Sequence, residues 1–221
     1  MLRNRIFQLF KSPQATETSP PLPQTFTTQD EIIANVQAPA SEEGICLPLS
    51  NLYTKYQLGT GTRDFMQGTP HEIYNRAVQE REHQKALVEN NPSEDSVSAF
   101  SDGMHSAFVD SHVPYHLSVV DANTLKTPSG LSKVVGDSSN VLITYPVKKT
   151  TQQEEMTFFH QVAVGRDKHT VGNCYSFSAN LSRGERIHPC QDGFPDIRDE
   201  IERSIDPMAD TVFVARERHH H

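Results

Sequence analysis

The sequence predicts an α+β protein in which helices come first and an antiparallel sheet follows. In the first half, apolar residues recur at helical spacing, most clearly at Leu49, Leu52, Tyr53 and Tyr56. From residue 117 onward, short runs of β-branched and aromatic residues are separated by turn residues, which is typical of strands. A chain of 221 residues is long enough for one domain with a substantial core.

The ends of the chain are predicted to lie outside this domain. Residues 1–27 form a flexible segment in this interpretation, and residues 12–28 have the Pro, Ser, Thr and Gln content of a linker. Residues 1–11 mix apolar and basic side chains, so they are either an export signal or a short helix that touches a membrane surface. The domain is expected to span residues 28–215. Residues 216–221 are a tail that ends in three histidines, typical of a purification tag.

Four helices are predicted before the sheet. Thr28 and Glu31 are placed to cap a short first helix, and the second begins near Cys46. Thr69 followed by Pro, His and Glu predicts a capped helix that continues to about residue 90. Ser93 is expected to cap a fourth, whose core stripe consists of Val97, Phe100, Met104 and Phe108.

The second half is expected to form strands with two helices between them. A polar hairpin connection is expected at residues 148–155. The small helices are predicted at residues 127–135 and 195–205, the latter with Ile197, Ile201 and Ile205 inward. The strands are predicted at residues 117–120, 141–145, 156–164, 171–178 and 211–215.

Composition and charge exclude several classes of function. The net charge of −8 argues against nucleic-acid binding, and no apolar run approaches the length of a transmembrane helix. Three cysteines are an odd number and do not indicate a disulfide framework, so we expect reduced thiols. Two groups resemble metal ligands without a standard metal-binding spacing, and we expect no metal or other cofactor. These groups are His105, His112 and His116, and His169, Cys174, His188 and Cys190.

Cys46 is placed where a helix would activate it. Pro48 fits the first turn of the helix, because its missing N–H costs nothing there. Cys46 therefore lies at or just before the helix N-terminus, where unpaired N–H groups and the helix dipole favour a thiolate. Gly44 allows a close approach of the chain. A buried structural thiol is the alternative interpretation.

His160 lies on a predicted strand made largely of apolar residues. Period-2 alternation puts it on one face with Val162 and Val164, where an imidazole needs a polar partner and can act as a base near neutral pH. The next strand returns antiparallel, so residues 176–178 are expected level with His160, where a polar group can orient the ring. A hydrogen-bonded core histidine is the alternative.

Three short motifs surround these residues. Residues 44–50 read Gly-Ile-Cys-Leu-Pro-Leu-Ser, residues 160–164 read His-Gln-Val-Ala-Val, and residues 177–180 read Phe-Ser-Ala-Asn before Gly184-Glu185. They resemble the pattern Gly-x-Cys-x-x-Leu-Ser, His-x-Val-Ala-Val and Phe-Asp-Pro-Asn before Gly-Glu of the YopT/AvrPphB-like effector proteases. Those are papain-like enzymes that bacteria inject into host cells. The resemblance covers roughly residues 40–215.

The resemblance implies a papain-like fold and a role for each matched residue. Cys46 is the expected nucleophile, His160 the general base and then acid, and Ser178 or Asn180 the orienting partner. The family's aspartate falls on Ser178, which can accept a hydrogen bond but carries no charge. Asn180 or an acid from elsewhere in the chain can substitute, and an inactive protein is a further alternative.

The side chain that would complete an oxyanion hole is not assigned. In the family it is an amide a few residues before the cysteine, and the nearest amide here is Gln37. The backbone N–H of Cys46 offers one donor by itself.

We therefore predict a monomeric cysteine protease effector that a bacterium secretes into the host cell cytoplasm, where it cleaves a host protein. A glutamine deamidase or a peptidoglycan amidase on the same scaffold is the alternative within catalysis. A non-catalytic module that grips a host protein is the alternative from another class, and the missing aspartate favours it.

Overall fold

The computed structural model describes residues 26–38, 44–90, 96–150 and 155–218. The described residues form eight α-helices and six strands, and most of the helices precede the sheet, as predicted. Predictions about residues 1–25, Ser93 and the three terminal histidines lie outside the described residues. Within the described ranges, no helix has the length and apolarity needed to cross a membrane.

The elements follow one another with short connections. The helices are α1 (Gln29–Val36), α2 (Cys46–Leu58), α3 (Pro70–Glu89), α4 (Ser96–Met104), α5 (Ser106–Asp110), α6 (Ala122–Leu125), α7 (Pro128–Val135) and α8 (Pro195–Ser204). The strands are β1 (Tyr115–Asp121), β2 (Val141–Thr150), β3 (Glu155–Arg166), β4 (Asn173–Phe177), β5 (Glu185–Pro189) and β6 (Thr211–Glu217).

The strands form one antiparallel sheet in the order β1-β6-β2-β3-β4-β5. The pairing of β2 with β3 is the longest and runs from Val141 opposite Val164 to Thr150 opposite Glu155. In contrast, β4 pairs only with residues 163–166 of β3. In the described part of the chain, the first two thirds of β3 therefore have no strand partner on the side away from β2.

The two faces of the sheet carry separate cores. Leu142 and Ala163 face α2, where they pack with Tyr53 and other buried residues. Their chain neighbours Ile143 and Val162 face α8 on the other side. This alternation is what the period-2 pattern of β2 and β3 predicts.

The capping signals predicted at Thr28 and Thr69 are confirmed. The backbone N–H of Glu31 donates to the Thr28 hydroxyl oxygen at 3.3 Å at the start of α1. Thr69 and Glu72 form the reciprocal capping box of α3. The second helix begins at Cys46, so Pro48 lies in its first turn.

The predicted core stripe of the fourth helix is wrong at its first two positions. Val97 is 69% exposed and Phe100 is 55% exposed, whereas Met104 and Phe108 are buried. The helix also breaks after Met104, whose carbonyl accepts hydrogen bonds from the side chains of Asn51 and Gln161. Because α4 and α5 are separate helices, one helical period does not describe both.

The packed region extends beyond residues 28–215 at both ends. Phe26, which we predicted to be part of a flexible segment, is 2% exposed and packs on Phe177. At the other end β6 reaches Glu217, which accepts a hydrogen bond from Asn140. Strand β5 was not predicted, because an edge strand that is half exposed lacks a clear alternation of apolar residues.

The expectation of three reduced thiols is wrong. Cys174 and Cys190 form a disulfide with their Cα atoms 4.8 Å apart, and Cys46 is the free cysteine. The pairing depends on the hairpin of β4 and β5, which puts Cys174 opposite His188. Among the described residues, no cluster of histidine, cysteine or acidic side chains could hold a metal ion.

Candidate active site

Cys46 lies at the N-terminus of α2, beside the part of β3 that β4 leaves uncovered. Its side chain is 6% exposed, and its sulfur is 3.7 Å from the carbonyl oxygen of Phe159 on β3. Gly44 faces the side-chain oxygen of Gln29, which would lie 3.1 Å from a Cβ atom at that position. The glycine therefore allows α1 and the start of α2 to approach closely.

Buried amide side chains fix α2 against β3. Asn51 donates to the side-chain oxygen of Gln161 at 2.9 Å and accepts from the backbone N–H of Ala107 at 3.0 Å. Gln161 donates in turn to the hydroxyl of Thr144 at 2.9 Å, and the Ser50 hydroxyl donates to the Gln161 carbonyl at 2.8 Å. Because Gln161 follows His160 in β3, this network sets the distance between Cys46 and the imidazole.

His160 lies between Cys46 and a carboxylate. It is 3% exposed, it lies beside Cys46, and its Nε2 is 2.8 Å from Oε1 of Glu200. Since Nε2 faces Glu200, Nδ1 is the ring nitrogen left for the sulfur. The Tyr145 ring packs edge-on against the imidazole at 5.4 Å and keeps water from that side.

Ser178 and Asn180, the alternative partners of His160 that the resemblance implies, both lie beside its ring and also hold Glu200. The Ser178 hydroxyl is 3.2 Å from His160 Nε2 and donates to Glu200 Oε1 at 2.7 Å. Asn180 Nδ2 donates to the same carboxylate oxygen at 3.0 Å. Phe177 pairs with Ala163, so residues 176–178 are not level with His160, and Ser178 reaches it from the turn after β4.

Glu200 is the residue of the candidate site that the sequence analysis did not identify. It is 5% exposed and lies on the buried face of α8 with Ile197 and Ile201. A signal was present, because Glu200 follows Ile197 by three residues and thus falls within the predicted apolar stripe. Asp199 and Glu202 fall outside this stripe and are exposed.

The electrostatics of the site favour a thiolate and an imidazolium. Burial raises the pKa of the Cys46 thiol, but the charge and hydrogen bond of His160, together with backbone hydrogen bonds at Gln161 and Leu47, lower the pKa below its ordinary value. Burial alone lowers the pKa of His160, whereas Cys46 and Glu200 together raise it to about 10. Each charge thus depends on the other.

Glu200 remains ionised although it is buried. Burial raises the pKa of this carboxyl, but the hydrogen bond and charge of His160 and the hydrogen bonds from Ser178 and Asn180 lower it below its ordinary value. A nucleophilic sulfur, a base that can return a proton and a fixed carboxylate are therefore aligned. Such a set can attack a carbonyl carbon and protonate the group that leaves.

The amide near the cysteine is Gln29 rather than Gln37. Gln37 is exposed at the end of α1 and does not line the cleft, whereas Gln29 is 6% exposed and does. Gln29 Nε2 donates to Asn180 Oδ1 at 2.5 Å. That bond uses one of the two N–H groups of the amide, and the backbone at the start of α2 offers further N–H groups for an oxyanion.

A cleft of about 570 Å³ opens beside Cys46 and His160. It is bounded by α1, α2, α4 and α8 and by the uncovered edge of β3. Its other lining residues are Gln29, Asp30, Gly44, Leu47, Phe100, Met104, Val147, Lys148, Thr157, Phe158, Phe159, Asn180, Arg203 and Ser204.

Comparison with known proteins gives one informative likeness. No protein-family model matches the chain, and no curated protein matches it. Among solved structures, the crystal structure of the Pseudomonas avirulence protein AvrPphB matches with a TM-score of 0.50 and 15% identity, over 89% of this chain and 98% of that chain. An identity this low supports a statement about the fold alone. The predicted α+β, papain-like fold is confirmed.

Proposed function

We propose that the protein is a cysteine protease in which Cys46 is the nucleophile and His160 the general base and acid. The observation that carries this proposal is that His160 is buried between the Cys46 sulfur and the Glu200 carboxylate. In this arrangement each charge stabilises the opposite charge beside it. Ser178, Asn180 and Glu200 are positioning residues in this scheme. The fold shared with AvrPphB supports the proposal.

The proposed reaction has two halves. The Cys46 thiolate attacks a peptide carbonyl carbon, and the carbonyl oxygen becomes an oxyanion beside the N–H groups at the start of α2. His160 then gives its proton to the leaving amine as the C–N bond breaks, which leaves an acyl-enzyme. In the second half, neutral His160 takes a proton from water, the resulting hydroxide attacks the thioester, and the acid product leaves as the thiolate re-forms.

The place of action is part of the proposal. An avirulence protein of Pseudomonas with the same fold supports a bacterial effector that acts in the host cell cytoplasm on a host protein. An uncharged Ser178 favours a non-catalytic binding module, but the carboxylate of Glu200 at His160 supplies the charge that Ser178 lacks.

Proteolysis can be tested without knowing the substrate. The protein is incubated with a lysate of plant or animal cells, and new N-termini are counted by mass spectrometry, with Cys46→Ala as the matched control. The proposal predicts new N-termini that need Cys46. Deamidation would instead add about 1 Da at glutamine without cutting the chain. Neither change, with intact binding to a lysate protein, would contradict the enzyme and favour the binding module.

A further inference from the structure

The cleft has two chemically different walls, one on each face of β3. Successive side chains of a strand point to opposite faces, so Phe159 and Gln161 face α2 while Phe158 and His160 face α8. Residues 157–160 all line the cleft. A ligand that lies along this edge of β3 therefore meets both walls.

The wall on the α2 side is apolar. Its apolar side chains are those of Leu47, Met104, Phe100 and Phe159. Phe100 is 55% exposed and Phe159 is 47% exposed, although most other aromatic rings of the described residues are buried. Large apolar side chains exposed inside a cleft indicate a ligand that brings an apolar group to cover them.

The wall on the α8 side is cationic. Arg203 lines the cleft three residues after Glu200 on α8, and its Nε donates to the Asp199 carbonyl oxygen at 3.0 Å. In the described part of the chain, its guanidinium has no carboxylate partner. A guanidinium without an ion pair at the rim of a cleft is suited to bind a carboxylate in two hydrogen bonds.

The edge of β3 between these walls can pair with another strand. The carbonyl of Phe159 faces the Cys46 sulfur, and that of Gln161 accepts from Ser50, so odd-numbered peptide groups point away from β2. By the same alternation the N–H and C=O of Thr157 point into the cleft. Within the described ranges no strand pairs with this part of β3, so the N–H and C=O of Thr157 are placed to pair with a peptide substrate.

We propose that the cleft selects an extended peptide with an apolar side chain against Phe100, Met104 and Phe159 and an adjacent acidic side chain paired with Arg203. Adjacent side chains of a strand point to opposite faces, which is why the two preferences fall on neighbouring residues. Asp30, which also lines the cleft, disfavours acidic side chains near α1. The inference rests on the proposed function and names the substrate class.

The charge preference is tested by binding to the Cys46→Ala variant, which cannot cleave. Short fluorescein-labelled peptides of alternating Glu and Leu are compared by fluorescence anisotropy with peptides of alternating Lys and Leu. We expect the Glu peptide to bind at least roughly tenfold more tightly, and Arg203→Glu to reverse the order. Lys133→Glu, on the exposed side of α7, makes the same change in net charge and should leave the preference intact.

The apolar preference is tested with a further peptide and with two variants of α4. A peptide of alternating Glu and Ser should bind more weakly than the Glu-Leu peptide, and Phe100→Ala should remove most of that difference. Val97→Ala, on the same helix but outside the cleft, should preserve it.

Failure of this inference can be told apart from failure of the proposed function. Equal affinity for Glu and Lys peptides, no binding of either, or a charge preference that survives Arg203→Glu would overturn the inference. A wild-type protein that binds the Glu-Leu peptide but cuts no protein would keep the inference and contradict the protease. Cleavage of proteins at sites that lack neighbouring acidic and apolar residues would support the protease and contradict the inference.

Discussion

The carboxylate of Glu200 lies beside His160, with its Oε1 2.8 Å from the imidazole Nε2. In this chain the residue after Phe177 is a serine, and the carboxylate comes instead from a helix that begins 17 residues later in the chain, at Pro195. Glu200 on α8 gives the imidazole both a charge and a hydrogen bond, and Ser178 and Asn180 in the turn after β4 hold the Glu200 carboxylate in place.

Replacing Glu200 by Gln should lower activity and change its pH dependence. The variant keeps the shape of the side chain but removes the charge that raises the pKa of His160, so this pKa should fall. We expect kcat/KM to drop on the order of tenfold or more, and the alkaline limb of the pH profile to move to lower pH. An unchanged profile with an unchanged rate would show that Glu200 has no part in the ionisation of His160.

For the Ser178→Asp variant, the resemblance and the observed geometry predict opposite changes in activity. The resemblance alone predicts a gain in activity, because it restores the family's aspartate. The geometry predicts a loss, because a second carboxylate would lie where the Ser178 hydroxyl now donates to Glu200 at 2.7 Å. We expect the free energy of unfolding to fall by about 2–4 kcal/mol at pH 7, measured by urea unfolding.

The double variant Ser178→Asp, Glu200→Gln is the matched control, since it moves one charge without adding another. It should recover most of the lost stability and more activity than either single variant. A stable and more active Ser178→Asp protein would contradict the assigned role of Glu200.

At the scale of elements, helix starts and the β2–β3 hairpin could be predicted because their signals are local. Thr28, Thr69 and Pro48 each mark a helix start within a few residues of sequence. The alternation around His160 likewise identifies its buried face. The resemblance of the three motifs, rather than these local signals, assigned Cys46, His160, Ser178 and Asn180 to one candidate site.

The contribution of α8 could not be predicted in the same way. Its buried face was visible in Ile197 and Ile201, but the partner of that face depends on how the chain returns to β3 across about 40 residues. The disulfide could not be predicted for the same reason, because it depends on the register of β4 with β5. Long-range pairing therefore decided the parts that sequence analysis missed.

The disulfide between Cys174 and Cys190 should stabilise the fold by closing a loop with a sequence separation of 16 residues. It joins β4 to the 3-10 turn that precedes α8, the helix that carries Glu200. Reduction should lower the free energy of unfolding by roughly 3 kcal/mol, measured by urea unfolding with and without dithiothreitol. A variant with both residues changed to Ser should not respond to the reductant.

Counting the reactive thiols of the unfolded protein tests the same disulfide in a second way. Unfolded protein without reductant should expose one reactive thiol, that of Cys46. Three reactive thiols would contradict the disulfide.

At the scale of the whole molecule, the candidate site forms where the pairing of β3 with β4 ends. Cys46 comes from the α2 face of the sheet and Glu200 from the α8 face, and they meet across the edge of β3 that β4 does not cover. His160 lies on that edge and touches both. The gap in strand pairing thus lets residues from opposite faces approach one another.

The stability of the whole fold should fall in acid because of His105. Burial lowers the pKa of His105 to about 4, against an ordinary value of 6.5, although a hydrogen bond to the Ser101 carbonyl opposes this. The unfolded chain therefore binds a proton first, and stability present above pH 6.5 is lost as the pH falls toward 4.

This dependence is measured by urea unfolding at two pH values. Between about pH 7 and pH 5, the His105→Gln variant should lose about 2 kcal/mol less than the wild type. The exposed His71→Gln variant is the matched control. An equal loss in the wild type and in His105→Gln would show that His105 does not titrate as its burial requires.

The measurement that tests the Cys46, His160 and Glu200 site most directly is the rate of Cys46 alkylation by iodoacetamide as a function of pH. His160 lowers the pKa of Cys46, so the rate should stay high well below the ordinary thiol pKa of about 8.5. In His160→Ala that effect is gone and burial raises the pKa, so reactivity should be confined to higher pH; Glu200→Gln should fall between the two. A slow rate that follows an ordinary thiol titration and is the same in all three proteins would contradict the proposed catalytic site.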